Sequence, residues 1–206
     1  MSDQAPAQFL PTSLNDWLES LAKVVLVAAT LIGGVWAYFE YMHKEQQRRV
    51  EQTLAYVKRF SEGVVFEAST RIGSVWYANY DRLQNLASTP PSPEKEFKDR
   101  HRQLVMTVVE RGVWEARDGK RGRGLVQEID AVTAFFSELK VCIDAQLCDD
   151  RTARVYFGDY ARRFYCLHEP YISWKASAFS AGFGQQLAGF ALIDAKPCRP
   201  HSCRPH

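Results

Sequence analysis

Hydrophobic and polar positions fall into two patterns along this chain. Val24 to Phe39 reads VVLVAATLIGGVWAYF, sixteen residues that are apolar on every face and carry no charge. From Glu40 onward apolar residues recur at helical spacing with polar residues between them. A bilayer core takes about 20 mostly apolar residues of helix. The uncharged run reaches that length when Leu21 and Ala22 are added and Lys23 extends its ammonium to the headgroups. Trp36, Tyr38 and Tyr41 gather at the far end, where amphipathic rings favour the interface. Gly33 and Gly34 are common in membrane helices, where small residues let helices approach. The pattern predicts one transmembrane helix over 21–42. A buried core helix and a cleaved signal peptide are the competing readings. A signal peptide needs a basic leader and a small-residue cleavage site, whereas Asp3, Asp16 and Glu19 precede this run and Ala37 follows a Trp.

The second pattern predicts an all-α protein: the membrane helix continues as a stalk and then enters an irregular helical bundle. Residues 1–20 are a short external leader, in which Ser13 is a candidate N-cap for an amphipathic piece from Leu14 to Leu21. Residues 43–62 form the stalk, with Val50, Leu54, Val57 and Phe60 or Ser61 on one face. Gly63 breaks it. The helical domain occupies 63–179. Its second helix, Val64 to Ala87, uses Val65, Ile72, Trp76, Tyr80, Leu83 and Leu86, and ends at the prolines 90, 91 and 93. Ser92 and Pro93 start a third helix to about Arg117, burying Phe97, Leu104, Val108 and Val113 or Trp114. A fourth uses Val126, Ile129, Val132, Phe135, Phe136, Leu139 and Ile143. Asp149 caps a fifth through Val155, Tyr156, Tyr160, Phe164 and Leu167, which Pro170 kinks or restarts. Residues 180–206 are a flexible tail. No strand pair with turn signals competes.

Charge sets orientation. Lys23 stands alone before the run, while Lys44, Arg48, Arg49, Lys58 and Arg59 follow it. The positive-inside rule then puts the N-terminus outside and the C-terminal domain in the cytoplasm. About 165 residues of the 206 remain beyond the span, enough for one domain with its own core. A net charge of +2 argues against nucleic acid as a partner. The five cysteines, 142, 148, 166, 198 and 203, are expected in that compartment as reduced thiols, with 142, 148 and 166 as packing residues.

The segment Ile129 to Ile172, IDAVTAFFSELKVCIDAQLCDDRTARVYFGDYARRFYCLHEPYI, resembles a family of uncharacterised bacterial membrane proteins. These have one N-terminal membrane helix and a helical domain of unknown function. The likeness lies in the aromatic pair Phe135-Phe136 before Glu138-Leu139, the acidic turn Asp149-Asp150, and an aromatic-rich helix reaching Tyr171. It implies a bacterial inner-membrane location and a single pass, and it implies no catalytic residue. Cys142 and Cys148 stand where such proteins often carry other residues.

Three features carry candidate chemistry. The C-terminal CRPHSCRPH repeats Cys-x-x-His, so Cys198, His201, Cys203 and His206 offer two thiols and two imidazoles, a donor set zinc accepts. The single residue between His201 and Cys203 and the neighbouring Arg199 and Arg204 oppose it, and a disordered tail is the favoured reading. The loop Gly119 to Gly124 carries Lys120, Arg121 and Arg123, which could contact lipid headgroups or other phosphates. It lacks the ending of a P-loop, and a solvated turn is the plainer reading. His43 reads as interfacial, His101 as solvated, and His168 as a helix-end residue. Glu138 is expected to pair with Arg162 or Arg163. No nucleophile motif or convergent set of groups suggests an enzyme. The leading expectation is a non-catalytic, membrane-anchored interaction or scaffold protein without a cofactor. It would bind an unidentified protein partner at the cytoplasmic face, or a second copy of itself through the span and stalk. A metal- or redox-responsive sensor using the tail, and anionic-lipid or nucleic-acid binding through the loop, are the alternatives.

Overall fold

The computed structural model describes residues 14–88, 94–111, 124–192 and Cys198. All of its regular structure is helical, in seven helices among the described residues: α1 Leu14–Ser61, α2 Gly63–Ala78, α3 Tyr80–Ser88, α4 Glu94–Arg111, α5 Val126–Asp144, α6 Asp150–Ala178 and α7 Gln185–Ala191. The chain divides into two units, 1–47 and 48–206.

In the first unit α1 is an exposed apolar helix. Every described side chain from Leu21 to Lys44 is exposed, and none of its most apolar window is buried. Thr30, a hydroxyl in the middle of that run, returns its proton to the Leu26 carbonyl at 2.8 Å. Its polar group is thus satisfied within the helix. Ion pairs bracket the apolar run, Lys23 with Glu19 at 2.8 Å and Lys44 with Glu40 at 2.6 Å.

The second unit is the bundle. Residues 48–61, expected as a stalk, belong to it: Tyr56, Val57 and Phe60 pack on the core and Thr53 is buried, while Leu54 is exposed. Phe60 is ringed by Phe135, Phe136, Phe157 and Tyr160 at centroid distances of 5.1–6.1 Å. α5 lies at the centre, with Ile129, Val132, Phe135, Phe136 and Leu139 buried as the spacing predicts. The Asp149 cap is also where it was expected, its carboxylate accepting from Thr152 N at 2.7 Å.

Several elements differ from the pattern. The predicted second helix is two, because Asn79 turns inward, is buried, and donates its side-chain N–H to the Val75 carbonyl at 2.8 Å. α6 runs unbroken through Pro170. Its buried face includes Ala153, Phe157, Ala161, Phe164, Leu167, His168 and Tyr171, so Phe164 and Leu167 are buried as the spacing predicts, whereas Val155 and Tyr156 are 78% and 55% exposed. α4 turns His101, Val105, Val108 and Val109 inward. The segment assigned to a flexible tail contains α7, whose Leu187 and Phe190 are buried against α5 and α6. Gly184 makes the entry to α7 with φ +75, and a Cβ there would lie 2.3 Å from Ile172 Cγ2. Only glycine fits that turn. Ser13, Ser92, Pro93 and residues 112–123 lie outside the described residues.

Candidate functional site

The polar face of α5 is used as fully as its apolar stripe. Glu128 pairs with Arg71 of α2, which also reaches the Gly124 carbonyl at 3.4 Å. Asp130 takes the Tyr171 hydroxyl at 3.0 Å and pairs with Lys175, both from α6. Lys175 also lies 4.6 Å from the centre of the Phe183 ring, a cation–π contact. Glu138 pairs with Arg59 of α1 at 2.5 Å. This replaces the expected Arg162 or Arg163: Arg59 sits one position before Phe60, whose packing against Phe135 brings it to Glu138. Thr53 links the first segment to the α5–α6 turn, accepting from Asp149 N at 2.8 Å. These pairs set helix positions. As partly exposed ion pairs each contributes on the order of 1 kcal/mol or less.

A second polar group is buried between α2, α4 and α6. Trp76 Nε1 donates to His168 Nε2 at 2.9 Å. An indole N–H can only donate, so His168 Nε2 accepts and Nδ1 carries the proton, donating to the Phe164 carbonyl at 2.8 Å. Both ring nitrogens are therefore committed, and burial lowers the imidazole pKa to about 4. His168 is a neutral tie inside the core, neither a helix-end residue nor a free base. His101, expected in solvent, is buried and stacks on Phe97 with ring centres 6.0 Å apart. Its Nε2 has no partner among the described residues. Burial lowers its pKa, against an opposing pull from Glu169. Burial also raises Tyr160 to about 12, and burial with the Asp130 carboxylate raises Tyr171.

Four of the five cysteines are paired, as Cys142–Cys148 and Cys166–Cys198, in place of the expected thiols. Sequence alone carried the signal of a Cys-x5-Cys spacing at a turn, but no spacing could connect Cys166 to Cys198 across 32 positions. The pairing bears on the tail metal set. A disulfide sulfur is no thiolate, so Cys198 offers no ligand in this state. His201, Cys203 and His206 lie outside the described residues, as do Lys120, Arg121 and Arg123 of the basic loop. Among the described residues no cluster of three His, Cys, Asp or Glu is placed to hold a metal ion. Only Gly124 of the basic loop is described, and it lies against α4. Leu125 N donates to the Val109 carbonyl at 2.8 Å, and a Cβ on Gly124 would sit 2.6 Å from that oxygen.

No family model matches the chain, and neither a curated protein nor a solved structure is similar to it. One helix near the N-terminus is long and apolar enough to cross a membrane, and it runs on without a break to Ser61.

Proposed function

We propose that this chain is a single-pass membrane protein that presents a helical interaction module at one face of the bilayer and carries out no catalysis itself. One observation supports this most: every described side chain of residues 21–42 is exposed, although the segment is apolar around its whole circumference. A core helix hides such a surface inside its own protein, and this one does not. Lipid is the solvent that removes it from water. A cleaved signal peptide is a poorer fit, because Asp16 and Glu19 stand where a basic leader is needed and Ala37 follows a Trp.

The lysines and arginines after the span retain the bundle on the cytoplasmic side. In a bacterium, the host the resemblance implies, that side belongs to the inner membrane. Self-association through the stalk loses its basis, because the apolar face around Val57 and Phe60 already packs on the bundle. Small residues Gly33 and Gly34, with open space around both, leave the span itself as the place for contact with a second copy.

Fractionation tests the reading. Lysed cells are washed with high salt and alkaline carbonate, and the pellet is then extracted with detergent. The chain should stay with the membranes until detergent is added. Recovery of the full-length chain in the first supernatant would overturn the proposal.

A further inference from the structure

The two cysteine pairs hold different things. Cys142–Cys148 closes a turn that is already bonded: Leu147 N and Cys148 N both donate to the Cys142 carbonyl, at 3.0 and 3.1 Å, and Asp149 N donates to Thr53. Cys166–Cys198 ties the middle of α6 to a residue beyond α7, so α7 lies inside the closed loop. α7 has seven residues, too few to hold a helix in water by itself. Its hold on the bundle comes from Leu187, from Phe190 stacked 5.9 Å from Phe136, and from Arg154, which sits over the Phe190 ring at 5.4 Å. The sulfurs also differ in access. Cys166 is 1% exposed, whereas Cys198 is only partly buried. Of the two, Cys198 is the more open to an attacking thiolate.

We propose that Cys166–Cys198 is a redox latch. Closed, it keeps α7 on the bundle. Opened, it frees α7 and uncovers the apolar surface around Phe136. The proposal rests on the cytoplasmic placement of the bundle, since disulfides that form on a reducing face are usually transient and redox-sensing. The reductant is a dithiol. One of its thiolates bonds to Cys198 Sγ and Cys166 leaves as a thiolate, which takes up a proton. The second thiol of the reductant then displaces Cys198. Two protein thiols and one oxidised reductant result, with two electrons transferred to the protein. A small-molecule disulfide reverses the reaction.

Hydrogen exchange on the full-length protein in detergent, before and after dithiothreitol, tests this. Once the bond is opened, the amides of Gln185–Ala191 should speed up at least about tenfold more than those of Gly63–Ala78. Cys198→Ser should reproduce that state without reductant, and Cys142→Ser should leave α7 protected. Unchanged protection of α7 in both the reduced protein and Cys198→Ser would overturn the latch. So would an equal loss of protection in α2 and α7, which would make the bond a staple of the whole bundle. Orientation is read separately, by reacting sealed right-side-out vesicles with a membrane-impermeant maleimide after reduction by a permeant thiol. Labelling only after lysis supports a latch on the reducing side. Labelling before lysis overturns the cytoplasmic placement and the physiological switch, while leaving the exchange result to stand.

Discussion

Residues 21–42 of α1 and helix α5 are both rich in apolar side chains, and they do opposite things with them. α5 gathers Ile129, Val132, Phe135, Phe136 and Leu139 on one stripe and buries it. It spends Glu128, Asp130 and Glu138 on ties to α2, α6 and α1. The earlier segment has no such division, and none of its described side chains finds a partner surface in the chain. A stripe can be hidden by neighbouring helices. An apolar cylinder needs a different solvent, and this contrast is the physical basis for assigning one helix to lipid and the other to a core.

The contrast is most open to breaking at the centre of the span. Arginine at both Leu26 and Ile32 should cost roughly 5–7 kcal/mol of insertion, at about 2.5–3.5 kcal/mol per central charge. The chain should leave the membrane fraction while its bundle melts at an unchanged temperature. Membrane retention, or a lowered melting point, would erase the distinction between the two helices. Phe136→Ala should do the reverse, costing about 3–5 kcal/mol in denaturant unfolding through the cavity it leaves, with membrane retention intact. The disulfides come next. In the chain-entropy account Cys166→Ser should cost about 3–4 kcal/mol and Cys142→Ser about 2, because the first loop is longer. Equal costs would show that loop length is not what matters.

Acid should act on the bundle and leave the span alone. His168 binds its proton less readily folded than unfolded, its pKa being about 4 against 6.5. Between these values the unfolded chain holds more protons, so stability is full above about pH 6.5 and falls as the pH drops toward about 4. His101 acts in the same direction. The shift of His168 alone amounts to a loss of roughly 3 kcal/mol, readable as a falling denaturation midpoint across that window. A flat midpoint would mean that His168 is not buried as a neutral ring. Gly184→Ala should have the smallest effect, about 1–2 kcal/mol, since Ile172 and the positive φ both oppose a Cβ.

The helical class, the exposed apolar run, the α5 stripe and the Asp149 cap were all legible before folding. Each depends on residues within one or two turns of each other. α6 was misread only in its first turns, for a definable reason. Phe164 and Leu167 are buried and Tyr160 packs on the core as the spacing placed them, but Ala153 and Phe157 face inward where Val155 and Tyr156 were expected. A small residue such as Ala153 admits a close neighbour, and a search for large apolar side chains passes over it. α7 escaped notice because seven residues with a glycine inside show no period, and only its docking on Phe136 orders it. The candidate tail and loop residues were conspicuous as sequence, yet all but Cys198 fall outside the described structure.

The sequence by itself determined where the chain is helical and that one helix is apolar all round, because hydrophobic period and local capping act over a few residues. Only the tertiary structure decided that residues 48–61 join the core and that His168 is held neutral by Trp76. The same is true of the meeting of Cys166 with Cys198. Each depends on side chains brought together from distant positions, and no local pattern encodes that proximity.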